Sequence, residues 1–224
     1  TVTEAGAADT ITLDNTTASL NNIRIISTSG NVATVSSTSS NDAIAVEQAA
    51  LGSAVASSAG INISEFSVVT SSATADSTID VDANVGIYNA GTISSTAANV
   101  DVINVGGSST VTLRNVGTIT SGADLTGNAV IDVGAGSTLN LINTGTISNT
   151  VGATDVVVDA STSGAIIGTF TNSGAITATS NTAAATDVSG DTAATLLNFT
   201  GGSVTGTTTL GGTAADTIRI GGTV

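Results

Sequence analysis

Residues 113–119, L-R-N-V-G-T-I, decide the fold, because the same seven-residue element returns at 87–93 as I-Y-N-A-G-T-I, at 141–147 as L-I-N-T-G-T-I and at 170–176 as F-T-N-S-G-A-I. A longer version, L-L-N-F-T-G-G-S-V, runs over 196–204, and I-N-I-S-E-F, with Asn62 and Phe66, reads as a weaker early copy. The asparagines Asn89, Asn115, Asn143, Asn172 and Asn198 follow one another at 26, 28, 29 and 26 residues. Repetition at this period marks a solenoid, in which each unit buries its apolar face only against its neighbours.

Within one copy Leu113, Asn115, Gly117 and Ile119 share one parity, and Arg114, Val116 and Thr118 share the other. Strand side chains alternate with period two, so the Leu and Ile columns are predicted to point inward and the Thr and Ser positions outward. The asparagines fall on the buried parity just before a glycine. There an inward amide pairs with the same amide on the coils above and below, which predicts an Asn ladder at a bend. Gly91, Gly117, Gly145 and Gly174 supply the backbone freedom or the room that such a corner needs. The two extra residues between Asn198 and Val204 preserve the parity, which places Asn198 in the ladder; one extra residue would reverse it. The functional alternative for this column is a binding site.

Upstream of the copies lie further short apolar strands at 79–81, 100–105, 130–133 and 156–158, which makes about three strands per coil. Near-continuous Val and Ile runs joined by Gly and Ser turns predict an all-β, right-handed parallel β-solenoid (β-helix) with coils of about 26–29 residues. At ~4.8 Å per coil, eight or so coils reach roughly 40 Å. Residues 76–224 read as the regular repeats, and 1–75 as irregular N-terminal coils with strand-like I-T-L at 11–13 and I-R-I at 23–25. The Ala-rich segment 42–58 predicts a helix that caps or protrudes, with Asn41 or Asp42 as N-cap and Ile44, Glu47, Leu51 and Val55 on related turns. A-A-D-T-I-T-L at 7–13 matches A-A-D-T-I-R-I at 214–220, which suggests homo-oligomers that polymerise end to end, or ordinary coil strands of a longer parent.

Composition limits the chemistry. The 224 residues are 40% hydrophobic but only 2% aromatic, so small aliphatics must pack a thin, regular core. Pro, Cys, Met, Trp, His and Lys are all absent, and the only cations are Arg24, Arg114 and Arg219. Lack of cysteine excludes disulfides and thiolate-bound zinc. A net charge of -14 repels phosphate backbones and anionic headgroups, which excludes nucleic-acid binding and membrane-surface docking and leaves divalent cations as partners. No run of 18 apolar residues occurs, so no membrane insertion is expected, and the start at Thr1 reads as a processed chain or a fragment.

The repeated N-x-G-x-I coils and the Thr-, Ser-, Ala- and Gly-rich, Cys-free composition resemble the passenger regions of bacterial autotransporters and related β-solenoid adhesins, over residues 76–224. The resemblance implies secretion, display at the bacterial cell surface, and adhesion to a host or environmental surface or fibre formation. No C-terminal membrane β-barrel pattern accompanies it. Residues 211–222, G-G-T-A-A-D-T-I-R-I-G-G, also resemble a degenerate calcium-binding nonapeptide repeat of type I secreted and S-layer proteins, with Ala214 in place of a glycine. That likeness implies a calcium-dependent lattice and makes Asp216 a metal candidate, beside Asp80 and Asp82, which share a strand face at i and i+2. No other cofactor is implied.

Two competing classes remain. Some parallel β-helices are glycan-active enzymes, but without His, Cys or Lys only carboxylates can serve, in the pairs Asp80 with Asp82, Asp155 with Asp159, and Asp187 with Asp191. No catalytic residue is expected, and Tyr88 is the single platform for stacking a sugar. The outward pairs Thr92 and Ser94, Thr118 and Thr120, Thr146 and Ser148, Ala175 and Thr177, and Ser203 and Thr205 form the Thr-x-Thr columns of an ice-binding solenoid, with Ala175 as a break. A continuous stack with three tryptic sites and no proline hinge is expected to resist proteolysis.

Overall fold

The computed structural model describes residues 1–4, 9–13, 22–28, 31–38, 40–47, 60–152, 154–180 and 182–221. Its strands cycle through three sheets. Val2–Glu4 opens sheet A, Ile11–Leu13 opens sheet B and Asn22–Ile25 opens sheet C, and every third strand thereafter stacks on the same sheet. Among the described residues all pairings are parallel and each sheet has eight rungs, ending in Ser203–Thr205, Thr207–Leu210 and Thr217–Ile220. The chain is therefore a parallel β-solenoid with three strands per coil. Seven steps of ~4.8 Å give a stack about 34 Å long.

In-register columns of like residues fill the interior. On sheet A, Val35, Val69, Ile93, Ile119, Ile147 and Ile176 follow one another, all buried. Ile44, Ile79, Ile103, Ile131 and Val158 do the same on sheet B, and Ile61, Ile87, Leu113, Leu141, Phe170 and Leu197 on sheet C. Three short strands leave space for one or two side chains from each, which suits β-branched residues of one size. Phe170 and Phe199 meet edge-on, with ring centroids 5.6 Å apart. The step from Val2 to Val35 is 33 residues and from Val35 to Val69 34, against 24 from Val69 to Ile93 and 26 to 29 thereafter, so the extra length of residues 1–75 lies between the strands.

The predicted helix at 42–58 does not begin where expected. Ile44–Val46 is a strand of sheet B, in register with Ile79 and Val81, and both of its aliphatics are buried. Stacking on a preformed rung outweighs the weak helix preference of an Ala-rich segment; residues 48–58 lie outside the described residues. The matching segments at the two ends also part company, since Ile11–Leu13 belongs to sheet B and Thr217–Ile220 to sheet C. Their likeness does not mark equivalent strands.

Candidate functional site

The Asn column forms a ladder. Asn89, Asn115, Asn143 and Asn172 are fully buried, and the Nδ2 of each donates to the Oδ1 of the next at 2.8, 2.8 and 2.7 Å. The Nδ2 atoms of Asn89, Asn115 and Asn143 also donate to the carbonyls of Thr118, Thr146 and Ala175, and Asn89 Oδ1 accepts from Gly91 N–H. These amides are thereby consumed in tying the corner between sheets C and A. Gly91, Gly117, Gly145 and Gly174 follow at that corner, none of them with a positive φ. They supply room: a Cβ at Gly117 would strike the Gly91 carbonyl oxygen and lie 2.6 Å from the Ala90 carbonyl carbon.

Asn198 is not part of the ladder. Phe199 pairs with Asn172, and Asn198 faces outward beside Thr171 and Arg219. Asn62 likewise pairs with outward Tyr88 while Ile63 takes the ladder position. In the last copy Asn172 to Phe199 is a step of 27 residues and Ala175 to Ser203 one of 28, so a single residue is inserted between them. The glycine corner absorbs it, because strand alternation does not run through a bend. The ladder thus ends at Ile63 and Phe199, two apolar side chains.

A second buried polar column was not foreseen. Ser37, Ser71, Ser95, Ser121 and Asn149 line up on sheet A at its corner with sheet B. Ser71, Ser95 and Ser121 accept from the N–H of Ala73, Ala97 and Ala123, and Asn149 from Val151. Side-chain oxygens that accept two residues ahead shape the turn. The sequence signal is a recurrent S-x-A, at 71–73 after V-V-T and at 95–97 and 121–123 after T-I-x.

Outward, each sheet has its own chemistry. Thr3, Ser36, Thr70, Ser94, Thr120, Ser148, Thr177 and Thr205 form an unbroken hydroxyl column on sheet A, whereas the neighbouring column of Thr92, Thr118 and Thr146 is interrupted by Val68 and Ala175. Three bonds within the hydroxyl column, Ser36 to Thr3, Ser94 to Thr70 and Thr120 with Ser148, tie its members together. On sheet B, Asp80, Asn104, Asp132, Asp159 and Asp187 are consecutive. On sheet C all three arginines share one column: Arg24, Asn62, Tyr88, Arg114, Ile142, Thr171, Asn198 and Arg219. Arg114 lies over the Tyr88 ring at 5.7 Å.

The carboxylate pairs separate. Asp155 and Asp191 are buried and brace loops, Asp155 accepting from Leu125 N–H and Asn149, Asp191 from Ile167 and Ala193 N–H and the Thr195 hydroxyl. Their partners Asp159 and Asp187 stand in the outward column. Asp216 accepts from Thr195 N–H at 3.1 Å and Gly211 N–H at 3.3 Å, so both its oxygens hold the last coil. Asp80 accepts from Asn104 Nδ2 at 2.7 Å, and a Cβ added at Gly106 would lie 2.6 Å from Asp82 Oδ1.

Asp80 lines a recess of about 240 Å³ on sheet B together with Asp42, Asp76, Asp101, Asn99, Asn104 and Asn128. Burial, with Asp80, Asp76 and Asp9 adding repulsion, pushes the Asp42 carboxyl up to about 8. Burial pushes Asp101 up to about 7 despite the 2.7 Å bond from Ala129 N–H. Asp132 is pushed up to about 6 by burial and then Asp159, and Asp76 and Asp80 are raised as well, burial again first. Among the described residues no three acids converge closely enough to enclose a bare metal ion.

A folded carboxyl with a raised pKa keeps a proton that the unfolded chain gives up near 3.8, so its stabilising contribution is complete below 3.8 and is lost as pH rises through the folded value. Asp132, Asp101 and Asp42 place that loss between about pH 4 and pH 8. Calorimetry in EDTA should therefore give a Tm at pH 5 several degrees above that at pH 8.5; a Tm that stays level or climbs over this range contradicts the electrostatics of the recess.

Comparison of the chain with models of known families, with curated proteins and with solved structures returns no match.

Proposed function

We propose that the chain is an extracellular structural and adhesive solenoid, displayed at a cell surface or assembled with its own copies, whose work is done by its sides. The observation that carries this reading is the segregation of chemistry by sheet: hydroxyls on A, carboxylates on B, and every arginine of the chain in one column of C. Repeated along a rod, such columns suit extended partners rather than a small substrate, and the buried asparagine amides are occupied in joining coil to coil.

The same segregation supports side-by-side association. Arg114 and Arg219 stand four rungs apart on sheet C, and Asp80 and Asp187 stand four rungs apart on sheet B. A neighbouring rod shifted by one rung brings the two sets opposite each other. Opposed charges of this kind are screened by salt, with a Debye length of ~10 Å at 0.1 M.

Sedimentation velocity and negative-stain imaging at about 20 and 500 mM NaCl, with proteinase K digestion in parallel, test the proposal. Laterally paired rods at low salt that separate at high salt, and that are lost in Arg114→Glu/Arg219→Glu, are expected, with the coils surviving digestion. Monomers at both salts overturn the lateral mode, and rapid digestion of the coils overturns the structural role itself.

A further inference from the structure

The recess on sheet B has one property that mutual repulsion among acids does not account for. Asp42 is only 7% exposed and lines the recess, and its Oδ1 has no hydrogen-bond partner among the described residues. Neither protonation state resolves this: ionised, the oxygen lacks a donor, and protonated there, it lacks an acceptor. Asp155 Oδ1 and Thr186 Oγ1 are also without a partner among the described residues, but of the three only Asp42 lines this recess, where a ligand from outside the chain can reach it. No arginine is among the charges acting on Asp42, since all three project from sheet C.

Register brings the acids together. Ile44, Ile79 and Ile103 stack in sheet B, so the positions two residues before them, Asp42, Ser77 and Asp101, stack as well, and Asp76 and Asp80 flank the same rung. Carboxylates and amide oxygens are the ligands that hard divalent cations take. At about 240 Å³ and open to solvent, the recess has room for an ion together with waters of its hydration shell. We propose that this recess binds a hydrated divalent cation, Mg²⁺ or Ca²⁺, with Asp42 Oδ1 bonding it directly and waters bridging it to Asp76, Asp80 and Asp101. Such an ion would fasten the coil of Ile44–Val46 to those of Ile79–Val81 and Ile103–Val105, and it does so whether or not rods associate.

The test is isothermal titration of MgCl₂ and, separately, CaCl₂ into EDTA-treated protein at pH 7.5, with Tm measured alongside. One saturable site is expected in the range of roughly 10⁻⁴–10⁻³ M common to extracellular modules, with a Tm gain of several degrees at saturation. The cation that gives the larger gain identifies the resident ion. Asp42→Asn/Asp101→Asn should lose both binding and gain while matching or exceeding the wild-type Tm without cation, because it removes repulsion but keeps the fold. Asp80→Asn should weaken binding, and Asp187→Asn, outside the recess, should leave it intact. An equal Tm gain from NaCl of the same ionic strength, undiminished binding by the double variant, or no saturable heat overturns the proposal.

Discussion

Gly117→Ala is expected to lower stability by about 3–5 kcal/mol, above the ~1–3 kcal/mol usual for overpacking because the clash is with backbone, or roughly 10–15 °C in Tm for a chain of this length. The added methyl has nowhere to go. It would collide with the carbonyl oxygen of Gly91 on the previous coil, and Gly145 stands in the same relation to Gly117 on the next. Relief would require opening the coil spacing at the corner, which breaks Thr118 N–H to Gly91 O and Thr146 N–H to Gly117 O, bonds of 2.9 Å each. Gly201→Ala is the control, because an added Cβ there meets nothing within 4 Å and no positive φ is required. Thermal unfolding of the two variants side by side checks the prediction: Gly201→Ala should stay within about 0.5 kcal/mol of the parent. Equal effects would mean that conformational freedom, not space, is what the corner glycines provide.

Asn115→Leu should cost about as much, ~3–5 kcal/mol, by a different route. It leaves Asn143 Oδ1 without its donor and Asn89 Nδ2 with only the Thr118 carbonyl, and each buried group left unsatisfied costs about 1–3 kcal/mol. Asn115→Asp adds a test of sign. Ionised, it presents oxygen to Asn143 Oδ1 and to the Thr146 carbonyl; protonated, it can donate again, so part of the loss returns between pH 7 and pH 4. Asn198→Leu should change stability by less than about 1 kcal/mol, since that side chain stands in an outward column. A large loss at Asn198 would mean that the register of the last coils is displaced by one residue, and a small one at Asn115 would mean that the ladder does not hold the coils.

The repeat itself was legible because its cause is local. A period of 26–29 residues and strict alternation at 113–119 oblige the chain to stack strands, and inward Leu and Ile follow from strand geometry alone. Three strands per coil, the sheet-A columns and four of the five expected ladder asparagines followed from residue order; the fifth, Asn198, did not. The turn serines Ser71, Ser95 and Ser121 were equally visible as S-x-A but passed unread, because serine is common on exposed strands and its burial is not written in its neighbours.

What the sequence could not supply is everything that crosses a corner or joins distant coils. Asn198 and Asn62 sit one residue from the ladder position, and parity counted through a bend has no physical basis, since the corner resets it. Ile44–Val46 became a strand because Ile79–Val81 was there to receive it. The gathering of three arginines into one column, the parting of Asp155 from Asp159 and of Asp187 from Asp191, and the meeting of Asp42 with Asp101 all depend on coil lengths that differ from 24 to 34 residues. The sequence by itself determined that this chain must coil and which residues fill each coil, because alternation and repeat are properties of neighbours. Only the tertiary structure decided which outward residues share a face, because stacking turns a loop of one or two extra residues into a different partner on the next rung.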